Sequence, residues 1–448
     1  MPVWWSLVLR SAMQRWGLLV GFGAVHLAYV VYLLPVIIAG DTEGDLPLYR
    51  QWAEAAMLGH APLLHEDWVY PAGALGPIVL ADVLGPGLYQ LLWLLITAAG
   101  NLFALWVLTK GFKNRAGFLA AWYWLLIEIL LSPVSMLRLE GVAAPFVIAA
   151  LVLIARRPMV AGALLAAGAW IKVWPAAIAV AAFTGGAKRW WLALGGAALT
   201  TAVVASVWLA GGGKHLLSFI TMQNDRTLQL EAPIATPWVW AAIAHVKGAS
   251  IYQNFELATR EVTGPGSRYV ASAMGVAMAV AFALVLIAMI TGRRRLSRAG
   301  FGTAAVRRAE VRLVVLGAFA LVAALIVFNK VGSPQYQLWI APIVVAGLLV
   351  DRRRWRMAAW AMAGISLLTT IIFPIVYMPL VTGNPGAAAV LTLRNAAVIG
   401  IFIWSCVELS RCVADPSRLA WPSRGRSQRR TEPRLEVPDV TGPLRTVG

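Results

Sequence analysis

Charged residues and cysteines are scarce in this chain of 448 residues. Only 13% of the residues are charged and 60% are hydrophobic, whereas about 25% of the residues of a soluble domain are charged. An ordinary soluble protein is excluded, because water could not solvate so much apolar surface without aggregation. The two cysteines, Cys406 and Cys412, exclude a cysteine-based zinc site, and no structural disulfide is expected from them. The chain is predicted to be a polytopic membrane protein.

Acidic residues are the second shortage. The 20 Asp and Glu residues stand against 38 Lys and Arg residues, which gives a formal net charge of +18. In a soluble protein this excess would indicate nucleic-acid binding. In a membrane protein it indicates basic cytoplasmic loops instead, and no nucleic-acid partner is expected.

Apolar segments of membrane-spanning length recur along the chain. About 20 helical residues cross a hydrocarbon core of about 30 Å, and roughly twelve transmembrane segments are predicted on that basis. They lie at 17–38, 87–109, 117–133, 141–155, 159–170, 173–185, 190–210, 269–291, 313–328, 338–350, 357–376 and 385–407. Lys172 and Pro175 interrupt the stretch 159–185, which is interpreted as two short helices that meet near the outer surface. The first segment has no convincing cleavage site and is interpreted as an uncleaved helix.

The basic residues predict how these segments are oriented. All short basic loops fall on one side of the membrane if 159–185 is a hairpin and the apolar patch 74–85 does not cross. Both termini of this multi-pass protein of the plasma membrane are then cytoplasmic. The two outer loops, 39–86 and 211–268, collect many of the acidic residues. We therefore expect any chemistry on the outer face.

A change in composition near residue 412 divides the chain. Residues 1–412 are predicted to form one all-α transmembrane domain. Residues 413–448 are rich in Pro, Arg, Ser and Gly and cannot bury enough apolar surface to fold alone. They are predicted to be a disordered, basic cytoplasmic tail whose arginines touch anionic membrane lipids.

The first outer loop is the most informative segment. Between Asp45 and Leu58 the apolar residues recur every three or four positions with polar residues on the opposite face. This spacing predicts a short amphipathic helix along the membrane surface. Asp41 and Asp45 follow the first transmembrane helix directly. A carboxylate beside apolar walls is partly desolvated and can act as a general base on a sugar hydroxyl. The alternative is that these residues only cap the amphipathic helix, for which Asp45 is well placed.

Further charged residues lie at the outer ends of predicted helices, namely Glu128, Arg138, Glu140, Lys172, Lys330 and Arg394. A charge at membrane depth is costly and normally faces a wet cavity or a partner. Basic groups there could hold the phosphate of a lipid-linked donor, and structural ion pairs are the alternative. In the second outer loop a polar cluster that includes Arg226 suits a hydroxyl-rich or phosphorylated ligand, unless it is an ordinary solvated loop. The histidines of the first loop match no strong metal motif, and no metal is expected.

Several short motifs follow one another along the chain. They are D-L-x-x-Y with Asp45, Leu46 and Tyr49, W-A at Trp52, G-x-x-P with Gly59 and Pro62, Y-P at Tyr70, R-x-E with Arg138 and Glu140, K-x-x-P with Lys172 and Pro175, and N-K-V-x-S-P-Q-Y-x-L-W from Asn329 to Trp339. In this order they resemble the GT-C superfamily of glycosyltransferases. More narrowly, they resemble glycosyltransferase family 87, the bacterial polyprenol-phosphate-mannose-dependent α-mannosyltransferases and the related arabinofuranosyltransferases. The resemblance extends from about residue 17 to residue 407.

The resemblance implies a GT-C fold and an inverting sugar transfer on the outer face. It implies a polyprenyl-phosphate sugar as donor, a glycolipid or polysaccharide as acceptor, and no cofactor. Asp45 matches the position of the general base better than Asp41. The candidate substrate-binding residues are Asp41, Tyr49, Tyr70, Arg138, Glu140, Lys172, Arg226, Lys330, Gln335 and Tyr336. Many mannosyl-transferring relatives have a histidine near the S-P motif, where this chain has Gln335 and Tyr336, so mannose and arabinofuranose both stay open as the transferred sugar.

A lipid or sugar transporter, or a flippase, is the alternative from another functional class. A transporter should have broken helices in corresponding halves and a site near the bilayer midplane. This chain has one conspicuous break, at Lys172, and its acidic residues collect in an outer loop. A catalytically inactive family member that serves as a scaffold is the third possibility, and the intact Asp45 argues against it.

Overall fold

The computed structural model of the chain describes residues 3–221, 227–255 and 259–420. This part of the chain is mostly helical. The first ten helices are α1 Val3–Tyr32, α2 Leu34–Ile38, α3 Leu46–Met57, α4 Leu75–Leu80, α5 Tyr89–Leu108, α6 Arg115–Leu130, α7 Leu139–Leu153, α8 Pro158–Ile171, α9 Pro175–Gly185 and α10 Arg189–Leu209. They are followed by α11 Ser218–Thr221, α12 Thr236–Ile243, α13 Ser267–Arg298, α14 Thr303–Val327, α15 Gln337–Thr370, α16 Tyr377–Val381, α17 Pro385–Ala414 and α18 Ser417–Ala420.

Seven of the described helices are long and apolar enough to cross a membrane, namely α1, α5, α10, α13, α14, α15 and α17. This finding is consistent with the prediction of a helical membrane protein. Three shorter apolar helices, α7, α8 and α9, lie between them in the chain. Helix α15 covers both segments predicted at 338–350 and 357–376, and it kinks between them at Asp351, whose backbone is not helical.

Burial separates the interior of the bundle from its lipid-facing surface. Helix α14 is enclosed by α9, α13, α15 and α17, and almost every residue of its second half is buried. Helix α13 instead leaves a row of large apolar side chains exposed, at Val276, Val280, Leu284 and Ile287. Apolar surface of this extent is stable only in contact with lipid or a partner.

Glycine allows two of these helices to touch. A Cβ atom at Gly195 of α10 would collide with the carbonyl oxygen of Met159 in α8, and one at Gly162 would collide with that of Leu192. Small residues at such positions let helix backbones approach closely, which is how helices gain packing energy in lipid. This contact fixes α8 and therefore the break that follows it.

The second predicted outer loop contains a small β-sheet that the all-α prediction did not include. Its strands are β1 Leu228–Gln229, β2 Ser250–Asn254 and β3 Thr259–Thr263, all antiparallel, with β3 in the centre. Tyr252 stands opposite Glu261 in the β2–β3 pair. β-branched and aromatic residues at these positions favour strands over helix, but such short strands give a weak signal in sequence.

The two ends of the bundle differ in what they hold. The end that carries segments 39–86 and 211–268, which we call the loop end, holds the candidate site residues. At the opposite end Arg312 donates a hydrogen bond of 2.7 Å to the carbonyl of Leu419, and Leu419 is fully buried. The packed domain therefore continues to Ala420 rather than ending at residue 412. The rest of the predicted tail lies outside the described residues.

Candidate functional site

Asp45 lies at the start of α3 and forms an ion pair with Arg138. The Arg138 guanidinium donates to Oδ2 of Asp45, and the Tyr49 hydroxyl lies 3.4 Å from the same oxygen. Asp45 occupies the N-cap position of α3, but its side chain makes no capping hydrogen bond. The interpretation of Asp45 as a mere helix cap therefore loses its physical basis. Its side chain keeps 26% of its surface exposed, so a ligand can reach it.

A second ion pair joins Glu140 to Lys172. Glu140 lies in the first turn of α7 and is completely buried, and its Oε1 is 3.2 Å from Nζ of Lys172. Lys172 has extended backbone between α8 and α9, as the predicted break requires. Its ammonium group also lies 4.1 Å from the centre of the Tyr70 ring. Burial, the largest single effect, would lower the pKa of Lys172, but Glu140, Tyr70 and Tyr336 together more than offset it, so the pKa lies above its ordinary value.

A third ion pair, Glu231 with Arg394, was not among the predicted site residues. Nη2 of Arg394 lies 3.3 Å from Oε2 of Glu231 and 3.1 Å from its carbonyl oxygen. Burial raises the pKa of Glu231 to about 6, although the positive charges of Arg394 and Arg138 lower it. Arg138 interacts electrostatically with Glu140 as well. The three pairs therefore form one charge cluster at the loop end, buried except at Asp45, and α17 contributes to it through Arg394.

A cavity of about 1180 Å³ lies beside this charge cluster. Lys172 and Tyr70 belong to its wall, so they connect the cluster to the cavity. Two further cations, Arg268 and Lys330, line it together with Asn329. The remaining wall is largely apolar and includes Val173, Trp174, Met274, Met278, Leu325, Phe328 and Trp339. The cavity thus combines a cationic region with an apolar region, as an amphiphilic ligand requires.

Thr227, directly before β1, and Tyr252 of β2 lie at the rim of the cavity and both line it. Their hydroxyl groups donate to the carboxylate of Glu261, which also accepts hydrogen bonds from Asn254 and Thr259. Burial would raise the pKa of Glu261, but these four donors more than offset it, and the pKa lies below its ordinary value. An ionised Glu261 therefore fixes the rim.

The predicted site residues fall into two groups. Tyr70, Lys172, Lys330 and Tyr336 line the cavity. The residues that do not line it are Asp41, Asp45, Tyr49, Arg138, Glu140 and Gln335. Tyr49 links the groups, since its ring packs edge-on against that of Tyr70 with centroids 6.1 Å apart. Arg226 lies outside the described residues.

Asp41 is the least suited of the predicted acidic residues. Its side chain is 69% exposed, and the Arg50 guanidinium lies 3.8 Å from it. Gln335 is buried, and its side chain accepts a hydrogen bond of 2.7 Å from Ser333. These contacts orient the chain that leads into α15 and give Gln335 a structural role in this conformation.

The sequence interpretation missed Arg268, and it did not pair Glu231 with Arg394. Arg268 lies one residue after the start of α13, where a helix-end arginine is an ordinary feature of membrane proteins. Only its position on the cavity wall distinguishes it. Within the described ranges, no three His, Cys, Asp or Glu side chains come together as a metal site. No family model, no curated protein and no solved structure matches this chain.

Proposed function

We propose that this chain is a membrane glycosyltransferase with the GT-C fold. It moves a sugar, mannose in the first instance, from a polyprenyl-phosphate donor to a glycolipid or polysaccharide acceptor on the outer face of the plasma membrane. The observation that carries the proposal is the amphiphilic cavity at the loop end, whose wall holds three cations and an apolar surface. The Glu140 carboxylate lies directly behind its Lys172–Tyr70 wall.

The cavity suits each part of such a donor. A lipid phosphate needs cationic or hydrogen-bonding partners, which Lys172, Lys330 and Arg268 supply. The hydrocarbon chain needs an apolar surface in contact with the membrane, which Met274 and Met278 of α13 supply. A volume of about 1180 Å³ leaves room for a sugar and the first isoprene units.

The reaction is a single displacement with inversion at the anomeric carbon. The acceptor oxygen forms the new bond to the anomeric carbon while the bond from that carbon to the phosphate oxygen breaks. The bonding pair leaves with the lipid phosphate, and the cations stabilise its charge. The proton of the acceptor hydroxyl passes to a carboxylate oxygen of Asp45, which acts as the general base. Arg138 and Tyr49 hold that carboxylate in place.

Asp45 lies behind Tyr49 and Tyr70 rather than on the cavity wall. The donor and the acceptor therefore reach the site of transfer from different sides. The donor occupies the cavity, and the acceptor enters along segment 39–86, where Asp45 is partly exposed. A separate route for the acceptor agrees with a large hydrophilic substrate on the outer face.

The proposed topology has twelve transmembrane segments. They are the seven long helices, with α15 counted twice because of its kink at Asp351, and the shorter α6, α7, α8 and α9. The loop end faces outward and both termini are cytoplasmic, as the positive-inside rule indicates. Single-cysteine labelling with a membrane-impermeant maleimide tests this, because Lys214→Cys should react in intact cells and Lys113→Cys should react only after permeabilisation.

Transfer of radiolabelled sugar tests the function. Purified protein in lipid nanodiscs receives polyprenyl-phosphate mannose, or polyprenyl-phosphate arabinose in a parallel reaction, and a mannoside acceptor. Asp45→Asn should abolish transfer, by a factor of about 100 or more for a lost general base, and should leave donor binding unchanged. Asp67→Asn is the matched control, since this aspartate is 61% exposed at the loop end and does not line the cavity.

Two outcomes would contradict the assignment. Full activity of Asp45→Asn excludes Asp45 as the base, and Asp41→Asn is then measured in the same way. Movement of the lipid across the membrane of a proteoliposome, without transfer to any acceptor, supports the flippase instead.

A further inference from the structure

One stripe of α13 changes from polar to apolar along the cavity. Arg268, Ser272, Gly275 and Met278 all line the cavity, and they are three or four residues apart, so they share one face of the helix. With a rise of about 1.5 Å per residue, the stripe runs about 15 Å from Arg268 to Met278. Its charged end is at the loop end of the bundle and its apolar end lies within the apolar span. This is the pattern of a lipid with a charged head group and a hydrocarbon chain.

Arg268 differs from Lys172, another cation on the cavity wall, in its charged neighbours. The charge of Lys172 is compensated by Glu140 at 3.2 Å. No carboxylate lies within ion-pair distance of the Arg268 guanidinium in the described part of the chain, and its side chain is exposed on the cavity wall. A guanidinium group binds two oxygens of a phosphate at once, with better geometry than an ammonium group.

Gly275 is the second unusual residue of the stripe. Glycine in the middle of a helix costs about 1 kcal/mol relative to alanine, so its presence calls for a reason. Many glycines in this bundle allow backbones to touch, but a Cβ atom at Gly275 would meet nothing within 4 Å. Packing within the protein therefore does not require this glycine. Its effect is to keep the middle of the cavity-facing stripe open.

We infer that this stripe of α13 is the binding track for a prenyl-phosphate lipid, with Arg268 as a phosphate ligand and Gly275 as the opening for the chain. The inference rests on the proposed function and deepens it, since it assigns the position of the donor. The phosphate of the lipid lies at Arg268. Its hydrocarbon chain passes Gly275 and runs against Met274 and Met278 towards the surrounding membrane lipid.

Two donors that differ only in chain length test the track. One is polyprenyl-phosphate mannose of natural length, and the other carries a single isoprene unit, which is too short to cover the distance of about 10 Å along the helix from Arg268 to Gly275. Gly275→Leu places a side chain in the path of the prenyl chain. It should raise the KM for the long donor at least 10-fold and leave the KM for the short donor unchanged. Arg268→Gln should raise the KM for both donors by about 10- to 100-fold, as loss of a charged hydrogen bond predicts, and Arg268→Lys should recover part of it.

Matched controls are available on other helices. Gly364 in α15 and Gly400 in α17 are also exposed glycines whose Cβ would meet nothing within 4 Å, but they do not line the cavity. Gly364→Leu and Gly400→Leu should leave both KM values unchanged. Equal effects of Gly275→Leu on the two donors, or no effect on either, would overturn the track.

Photocrosslinking provides a readout that does not depend on transfer. Polyprenyl phosphate with a diazirine on its chain should label residues 271–278, and unlabelled polyprenyl phosphate should compete while phosphatidylglycerol should not. Equal competition by phosphatidylglycerol would mean an unspecific lipid surface and would refute the inference. Specific labelling without sugar transfer would support the lipid-binding track and contradict the proposed glycosyltransferase function. Failure of the track and failure of the proposed function are therefore distinguishable.

Discussion

Removal of the Lys172 ammonium group should cost the protein much of its stability. Glu140 is completely buried, and Lys172 is the cation at its carboxylate, 3.2 Å away. Breaking a buried ion pair by removing one partner typically costs about 3–5 kcal/mol, because the other charge is left uncompensated in a medium of low polarity. Arg138 also attracts the Glu140 charge and offsets part of the loss. We therefore expect Lys172→Met to lower the free energy of unfolding by about 3 kcal/mol, the lower end of that range.

The double variant Lys172→Met/Glu140→Gln separates the charge from the packing. It removes both charges, so it should recover most of the lost free energy, which corresponds to a coupling of about 2–3 kcal/mol. Reversible unfolding of the protein in mixed micelles with increasing dodecyl sulfate measures each value. Arg418→Met is the matched control, because its pair with Asp415 is exposed and such pairs contribute about 0–1 kcal/mol.

Two results would refute this reasoning. If Lys172→Met were as stable as the wild type, Glu140 would have another compensating partner or would be neutral in the native protein. If the double variant were as unstable as Lys172→Met, the loss would come from the packing of the lysine side chain and not from its charge.

The remaining predictions concern Glu231 and the contact of α8 with α10. The folded state raises the pKa of Glu231 from 4.5 to about 6 and so binds its proton more tightly than the unfolded state. The stabilisation of the fold by this tighter proton binding is complete below about pH 4.5 and is lost as the pH rises through 6. The free energy of unfolding of the wild type should therefore fall by about 2 kcal/mol relative to that of Glu231→Gln over this window. Gly195→Ala should destabilise the protein by about 1–3 kcal/mol, because its Cβ would collide with the carbonyl of Met159. Unfolding titrations measure both.

Each of these predictions has its own contrary outcome. Parallel stability profiles of the wild type and Glu231→Gln between pH 4.5 and 6 would show that Glu231 titrates as it does in the unfolded chain. The control for Gly195→Ala is Gly196→Ala, whose Cβ would lie 3.5 Å from the nearest atom, an ordinary contact. Equal stability of the two alanine variants would mean that α8 and α10 are not in backbone contact.

The sequence alone predicted the features that depend on local composition. The predicted segment 190–210 corresponds to α10 at Arg189–Leu209, and the predicted surface helix corresponds to α3 at Leu46–Met57. The break at Lys172 was also predicted correctly, because a proline three residues later prevents a continuous helix. Hydropathy, amphipathic spacing and proline act over a few residues, so one sequence suffices to detect them.

Only the tertiary structure decided which charges meet and where the cavity lies. Glu231 and Arg394 are 163 positions apart, and Asp45 and Arg138 are 93 apart, so no local pattern indicates either pair. Arg268 was overlooked because its significance lies in the cavity wall, to which at least seven separate segments between residues 69 and 339 contribute. The sheet and the packing of Leu419 escaped prediction for the same reason, since contacts with distant residues stabilise them. Local forces determine the elements of this protein, and long-range packing determines its site.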